Sequence, residues 1–180
     1  EEVVIHLAKT LIGKTGCRNL VIAGGIGLNC TTNSRLISEN VVDDLYVLPA
    51  TNDAGVSIGA ALEKAHQIGG NNPKRMEHVY LGPQYSNLQI KKVLNGLKIP
   101  YKRSKEIYKL AAQSLAKGEI VGWFQGRMEG GPRALGNRSI LANPKIKRMH
   151  DAVNGIKSRE SWRPLAPAVL EEFRKDYFEK

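Results

Sequence analysis

Three arginines stand among four glycines and a proline in Gly126-Arg127-Met128-Glu129-Gly130-Gly131-Pro132-Arg133-Ala134-Leu135-Gly136-Asn137-Arg138-Ser139. Arginine offers planar, paired donors that match phosphate and carboxylate. Flanking glycines let Arg127, Arg133 and Arg138 converge on one small anion. A solvated surface loop would favour Lys, Ser and Asn instead. An RNA-binding loop would interleave aromatics, and the nearest two, Trp123 and Phe124, belong to the preceding apolar run. Glu129 is a candidate general base, and an ion pair with a neighbouring arginine explains it as well. A second basic cluster follows in Lys157-Ser158-Arg159-Glu160-Ser161-Trp162-Arg163-Pro164-Leu165-Ala166-Pro167. If that segment is extended, residues two apart share a face, so Lys157, Arg159 and Arg163 point at one polyphosphate. The alternative is a charged strand edge.

Two motifs in the first half carry a weaker chemistry. Ala23-Gly24-Gly25-Ile26-Gly27-Leu28-Asn29 places glycines between a strand and a helix, where backbone can approach a phosphate or sugar. It is not a dinucleotide fingerprint, because Cys30 stands where the third glycine would fall. Packing or turn geometry is the plainer account of Gly24 and Gly25. In Pro49-Ala50-Thr51-Asn52-Asp53-Ala54-Gly55 the Asp53 carboxylate is suited to a metal or a ribose. By residue type alone it is better suited to cap the helix that follows.

These residues need elements to hold them. Residues 1–15 have helical apolar spacing (Val4, Leu7, Ala8, Leu11). Residues 19–23 and 44–48 predict short buried strands, the first closed by Gly24-Gly25 and the second by Pro49. Thr31 or Thr32 is positioned to cap a helix reaching residue 40, and residues 55–67 predict a small-residue helix. Gly69-Gly70-Asn71-Asn72-Pro73 predicts a loop. In the second half, residues 87–97 predict a helix and Tyr101 a short strand. Ser104 predicts the cap of a helix through Lys117, with Gly118 as its stop. Residues 119–124 and 139–141 predict strands, and Asn143-Pro144 the start of a helix to Asn154. Strand–helix alternation argues for an α/β architecture.

Composition narrows the function classes. Of 180 residues, 42% are apolar and 24% charged, which supports a globular core without a disulfide framework. Cys17 and Cys30 form no C-x-x-C pair, so a structural zinc site is not indicated. No apolar run is long enough to span a membrane and no signal peptide opens the chain, so the expected location is the cytoplasm. The first residue is Glu1, already within a helical pattern, so the chain is expected to be a piece of a longer protein. Charge is uneven. Residues 1–90 carry 7 Lys/Arg against 8 Asp/Glu, a net of −1, and residues 91–180 carry 20 against 9, a net of +11. That asymmetry suggests two units with different partners.

The glycine turn, the 49–62 stretch, Leu81-Gly82-Pro83, residues 120–144 and residues 154–170 together resemble carbamoyltransferases of the NodU/CmcH type. The resemblance implies residues 1–82 as the closing portion of an actin-like (ASKHA) ATPase domain. It implies residues 83–180 as a truncated YrdC-like α/β domain. The activity it implies is O-carbamoyl transfer from carbamoyl phosphate, through an ATP-dependent carbamoyl-adenylate, to a hydroxyl of a sugar or small-molecule acceptor. ATP with Mg²⁺ is then a substrate. Lys157 and Arg159 would contact carbamoyl phosphate or polyphosphate, Arg133 and Arg138 would clamp anions, and Arg127 and Arg163 would add charge. Gly24, Gly25 and Asn29 match a nucleotide-contacting turn. Asp53 matches a ligand of a metal, often iron, whose partner ligands form an H-x-x-x-H pair. The four histidines here, His6, His66, His78 and His150, are not so spaced. Position 130 is Gly where an aromatic is usual in the family. A threonylcarbamoyl-AMP or tRNA-modification protein shares both folds. A basic nucleic-acid-binding module is the reading from another class, although the arginine placement makes nucleic acid the weaker partner. A membrane partner is not expected. Apolar surface left bare by truncation would favour a homodimer.

Overall fold

The computed structural model describes residues 1–70 and 76–178. It is a mixed α/β structure with two short sheets, in two compact units. One is Glu1–Leu81 with Glu129–Arg133, and the other is Gly82–Met128 with Ala134–Lys180. The chain thus leaves the second unit for five residues in the middle of the glycine–arginine loop.

In the first unit, helix α1 (Glu2–Thr15) is followed by strand β1 (Asn19–Ile22), a 3-10 turn (Gly25–Leu28), helix α2 (Cys30–Ser38), strand β2 (Asp44–Val47) and helix α3 (Ala54–Gln67). β1 and β2 pair in parallel, Leu20 with Leu45 and Ile22 with Val47. Parallel pairing needs a crossover, which α2 provides. α1 buries Ile5 and Ala8, three residues apart on one helix face, and they meet Leu36 of α2 and Val41-Val42 beyond it. Leu20, Ile22 and Leu45 close this core from the sheet. The alternate strand residues Val21 and Tyr46 face away and stay exposed. Arg35 of α2 ties the start of α1 to α2 by donating to Glu1, Glu2 and Glu39. These bonds hold the Glu2 carboxyl below its ordinary range, but an exposed network of this kind adds little stability.

In the second unit, helices α4 (Asn87–Gly96) and α5 (Ile107–Ala116) precede strands β3 (Val121–Phe124) and β4 (Arg138–Leu141). Helix α6 (Met149–Ile156), a 3-10 turn (Glu171–Phe173) and the short helix α7 (Arg174–Tyr177) follow. α4 opens with a reciprocal Ser86–Gln89 capping box. Gly118, at φ +82°, ends α5 as expected. β3 and β4 pair antiparallel, Trp123 opposite Ser139 and Phe124 opposite Arg138. α6 buries Met149, Val153 and Asn154.

Several boundaries differ from the sequence expectations. Asn29, not Thr31 or Thr32, caps α2, and its side chain accepts the Thr32 N–H. Thr31 and Thr32 both lie within α2, past the cap. Ser104 accepts from the Glu106 N–H in a local turn, so α5 starts later, at Ile107. Asn143 makes a similar turn with Lys145 instead of capping, so α6 starts at Met149. Among the described residues there is no strand at Tyr101 or within residues 157–167. The Asn71-Asn72-Pro73 part of the expected loop lies outside the described residues.

Two glycines of α3 make opposite demands. A Cβ on Gly55 would stand 2.2 Å from the Ala50 carbonyl oxygen, whereas one on Gly59 would meet nothing within 4 Å. Gly55→Ala is therefore expected to cost about 1–3 kcal/mol through forced backbone displacement. Gly59→Ala is expected to gain about 0.5–1 kcal/mol from helix propensity. Urea unfolding midpoints of the two variants, moving in opposite directions, check this.

Candidate functional site

In the first unit the site is built around residues 49–53, which link β2 to α3. Ala50 and Thr51 are buried at 3% and 5% exposure. The Thr51 hydroxyl lies 3.2 Å from both the Ile22 and the Gly24 carbonyl oxygens and shares its proton between them. This pins the end of β1 and the turn beyond it. Gly27 passes so close that a Cβ there would be 2.9 Å from Thr51 Oγ1. Gly24 has φ +86°, a region that favours glycine, and both Gly24 and Gly25 face open space. The turn thus presents bare backbone on its outer side. Asn29 stands just beyond, occupied as the α2 cap, and Asn33 donates to the Gly27 carbonyl at 2.8 Å.

Asp53 is exposed at the N-cap position of α3, in a helical backbone conformation, and its side chain makes no capping bond. The capping role favoured by residue type is therefore not the one adopted. Asn52, beside it, has a buried Oδ1 with no hydrogen-bond partner. No group of three His, Cys, Asp or Glu that could hold a metal occurs among the described residues. One carboxylate does not make a metal site, so the residues present do not fit iron by themselves.

The segment Glu129–Arg133 completes this unit. The Gly130 N–H donates to the Val79 carbonyl at 2.7 Å. Gly131, at φ +98°, lies against residues 49–50, and a Cβ on it would be 2.9 Å from the Pro49 oxygen and 3.2 Å from Ala50 Cα. Glu129 is buried, at 4% exposure. A Cβ on Gly130 would make only an ordinary contact, 3.6 Å from the Val79 oxygen. Arg133 is exposed, and its side chain has no hydrogen bond or ion pair among the described residues.

The second unit holds the other predicted cations. The Gly82 N–H donates to the Met128 carbonyl and the Met128 N–H to Pro83, while Arg127 Nε donates to Gly82 at 3.0 Å. Asn137 Nδ2 donates to the Arg127 carbonyl at 2.7 Å. Arg138 is half-buried in β4. The basic segment after α6 is not extended. Lys157 ends α6, Ser158 takes φ +48°, and the chain turns. Lys157, Arg159 and Arg163 therefore do not lie along one strand face.

The turn is organised by Asn154, which is 1% exposed. Its Nδ2 donates to the Ser161 and Arg163 carbonyls, and its Oδ1 accepts from Arg159 Nε at 2.6 Å. Arg159 also donates to the Pro164 carbonyl. Arg163 donates to Glu160, and its guanidinium lies 5.6 Å from the Trp162 ring centroid. The Glu160 carboxyl is held below its ordinary range, first by a backbone N–H and then by Arg163. Lys157 is exposed, with no side-chain partner among the described residues. So Arg159 and Arg163 spend donors on the loop, while Lys157 keeps its charge for solvent or a ligand. Sequence reasoning missed Thr51 and Asn154. Neither has an unusual type or spacing, and only their burial marks them.

Among known proteins, residues 1–62 match the family described as Carbamoyltransferase N-terminus and residues 112–180 the family described as Carbamoyltransferase C-terminus. Nodulation protein NolO of Bradyrhizobium diazoefficiens is 42% identical over 184 residues, 99% of this chain and 34% of that protein. Nodulation protein U of Azorhizobium caulinodans is 40% identical, over 93% of this chain and 28% of that protein. The 3'-hydroxymethylcephem-O-carbamoyltransferase of Streptomyces clavuligerus is 35% identical over 85% of this chain and 28% of its own length. The chain spans about a third of the length of the curated relatives it matches.

The Asn154 geometry gives a direct expectation. Asn154→Ala takes away the partner of the Ser161 and Arg163 carbonyls and of Arg159 Nε, a loss of about 1–3 kcal/mol. Amide hydrogen exchange across residues 157–164 should accelerate well before the rest of the unit opens.

Proposed function

The chain belongs to the carbamoyltransferase family and carries parts of its N- and C-terminal domains, and on that premise we propose that it is the part of an O-carbamoyltransferase that activates and hands over the carbamoyl group. The observation that carries this reading is the order of the two matches on one chain, residues 1–62 and then residues 112–180. The name of the cephem relative specifies carbamoyl transfer to an oxygen. By this reading residues 1–82 are a portion of an actin-like domain and residues 83–180 a portion of a YrdC-like domain.

The chemistry is a sequence of displacements. Water cleaves carbamoyl phosphate to carbamate and inorganic phosphate, a carbamate oxygen then attacks the α-phosphate of ATP, and the α–β anhydride bond breaks to release pyrophosphate. The carbamoyl-adenylate then passes its carbamoyl carbon to a hydroxyl of a sugar or small-molecule acceptor, and AMP leaves. Both donors are anionic, so the first step requires cations that offset their repulsion and stabilise charge in the transition state. Lys157 is the residue best suited to meet the phosphates directly, because its ammonium is exposed and has no partner among the described residues. Arg159 fixes the turn that carries it and contributes its remaining N–H donors. Arg138 and Arg127 supply further positive charge in the same unit. The glycine turn at Gly24-Gly25, with Asn29 beyond it, holds the adenylate for transfer. Mg²⁺ enters with ATP as its counterion. Asp53 would contribute one ligand to a metal site whose other ligands are not among the described residues.

Calorimetric titration of the chain with MgATP and with carbamoyl phosphate tests the reading. Saturable binding of carbamoyl phosphate is expected, weakened about tenfold or more by Lys157→Ala. No heat with either ligand, together with RNA binding that falls steeply between roughly 50 and 200 mM salt, would instead assign the basic half to nucleic acid.

A further inference from the structure

The arginines of the glycine-rich loop do not all belong to one unit. Arg127 and Arg138 count with the second, whereas Arg133 counts with the first, at the end of the segment Glu129–Arg133. That segment is held from two sides. The Gly130 N–H is bonded to Val79, and Gly131 lies against Pro49 and Ala50 at a distance only a glycine tolerates. One residue after Ala50, Thr51 is bonded to the Gly24 carbonyl. The contacts therefore run without a break from Gly131 through residues 49–51 to the glycine turn. Arg133 lies two residues beyond Gly131, so its Cα is within about 7 Å of the Gly131 Cα, and its side chain extends the reach by a similar length. Among the described residues the guanidinium has no partner of its own, and the outer faces of Gly24 and Gly25 are open.

We infer that Arg133 is an anion-binding residue of the first unit, where it takes the phosphate of an adenylate lying on the Gly24–Gly25 turn and so serves carbamoyl transfer, not activation. This rests on the function proposed above and deepens it. In the transfer, the acceptor oxygen forms a bond to the carbamoyl carbon, and the bond from that carbon to the phosphate oxygen breaks. The hydroxyl proton passes to solvent, and AMP leaves with one more negative charge on its phosphate than the mixed anhydride carried. A guanidinium at that phosphate binds the departing group more strongly than the reactant, which is the condition for lowering the barrier. Lys157 serves the other unit and the other step.

The probe is AMP itself, titrated into the isotope-labelled chain and followed by amide chemical shifts. AMP is expected to move the Gly24, Gly25 and Gly131 resonances along one binding curve. Arg133→Ala should weaken that curve about tenfold or more, and Lys157→Ala should leave it unchanged. Arg133 is exposed and has no partner among the described residues, so its replacement should not disturb the fold. As an independent check, Gly131→Ala should also weaken the AMP curve with Arg133 still present, because it displaces the segment from Pro49. The inference is overturned if Arg133→Ala leaves the curve intact, if AMP moves only resonances near Lys157, or if AMP moves none. Carbamoyl phosphate provides the control. Its binding at Lys157 with no AMP effect at Gly24 would discard Arg133's role and keep the proposed function, and loss of both would discard the two together.

Discussion

The first unit depends on one strip of chain, Pro49-Ala50-Thr51, in which Ala50 and Thr51 are buried. Three stretches of chain approach it closely enough that a side chain would collide. Gly55 approaches from the start of α3, Gly27 from the turn after β1, and Gly131 from the glycine–arginine loop. A peptide strip enclosed in this way must have its polar groups satisfied, and the Thr51 hydroxyl bonded to the Ile22 and Gly24 carbonyls is part of how that is met. The same contacts fix the path of the glycine turn and the position of segment Glu129–Arg133. Packing and the course of the glycine turn thus rest on the same few atoms.

The second unit uses a different device. A fully buried amide, Asn154, supplies two donors and one acceptor to a turn that has no regular structure of its own. The turn's carbonyls have no strand ladder to join, and a buried side chain substitutes for one. The consequence is electrostatic as well as structural. Arg159 is drawn into the scaffold and Arg163 is paired with Glu160, so a cluster of three cations resolves into two that shape the loop and one, Lys157, that is exposed and has no partner among the described residues.

That division accounts for only part of the net charge of the second half. A +11 balance read as a count suggests a broad polyanion surface. Seen residue by residue, only part of the charge, Arg127, Arg159 and Arg163 among it, is held against carbonyls and carboxylates, and most of the lysines and arginines of this half stay exposed.

Much of this protein could be read from its residues. The α1, β1, β2 and α3 periodicities were plain because apolar spacing is a local property, and the chemistry of the Gly126–Ser139 and Lys157–Pro167 blocks was visible in arginine and glycine content alone. The boundaries at Asn29, Glu106 and Asn143 were not. Asn, Ser and Asp can cap a helix or close a local turn with nearly equal ease, and burial of neighbours such as Thr32 decides between them. Nor could spacing reveal that Arg133 parts company with Arg127 and Arg138, since five residues of one loop pack with residues some eighty positions earlier. Local order is set by near neighbours and is legible in sequence. Which cations are free and which are spent depends on contacts between distant residues, and only the tertiary structure decides it.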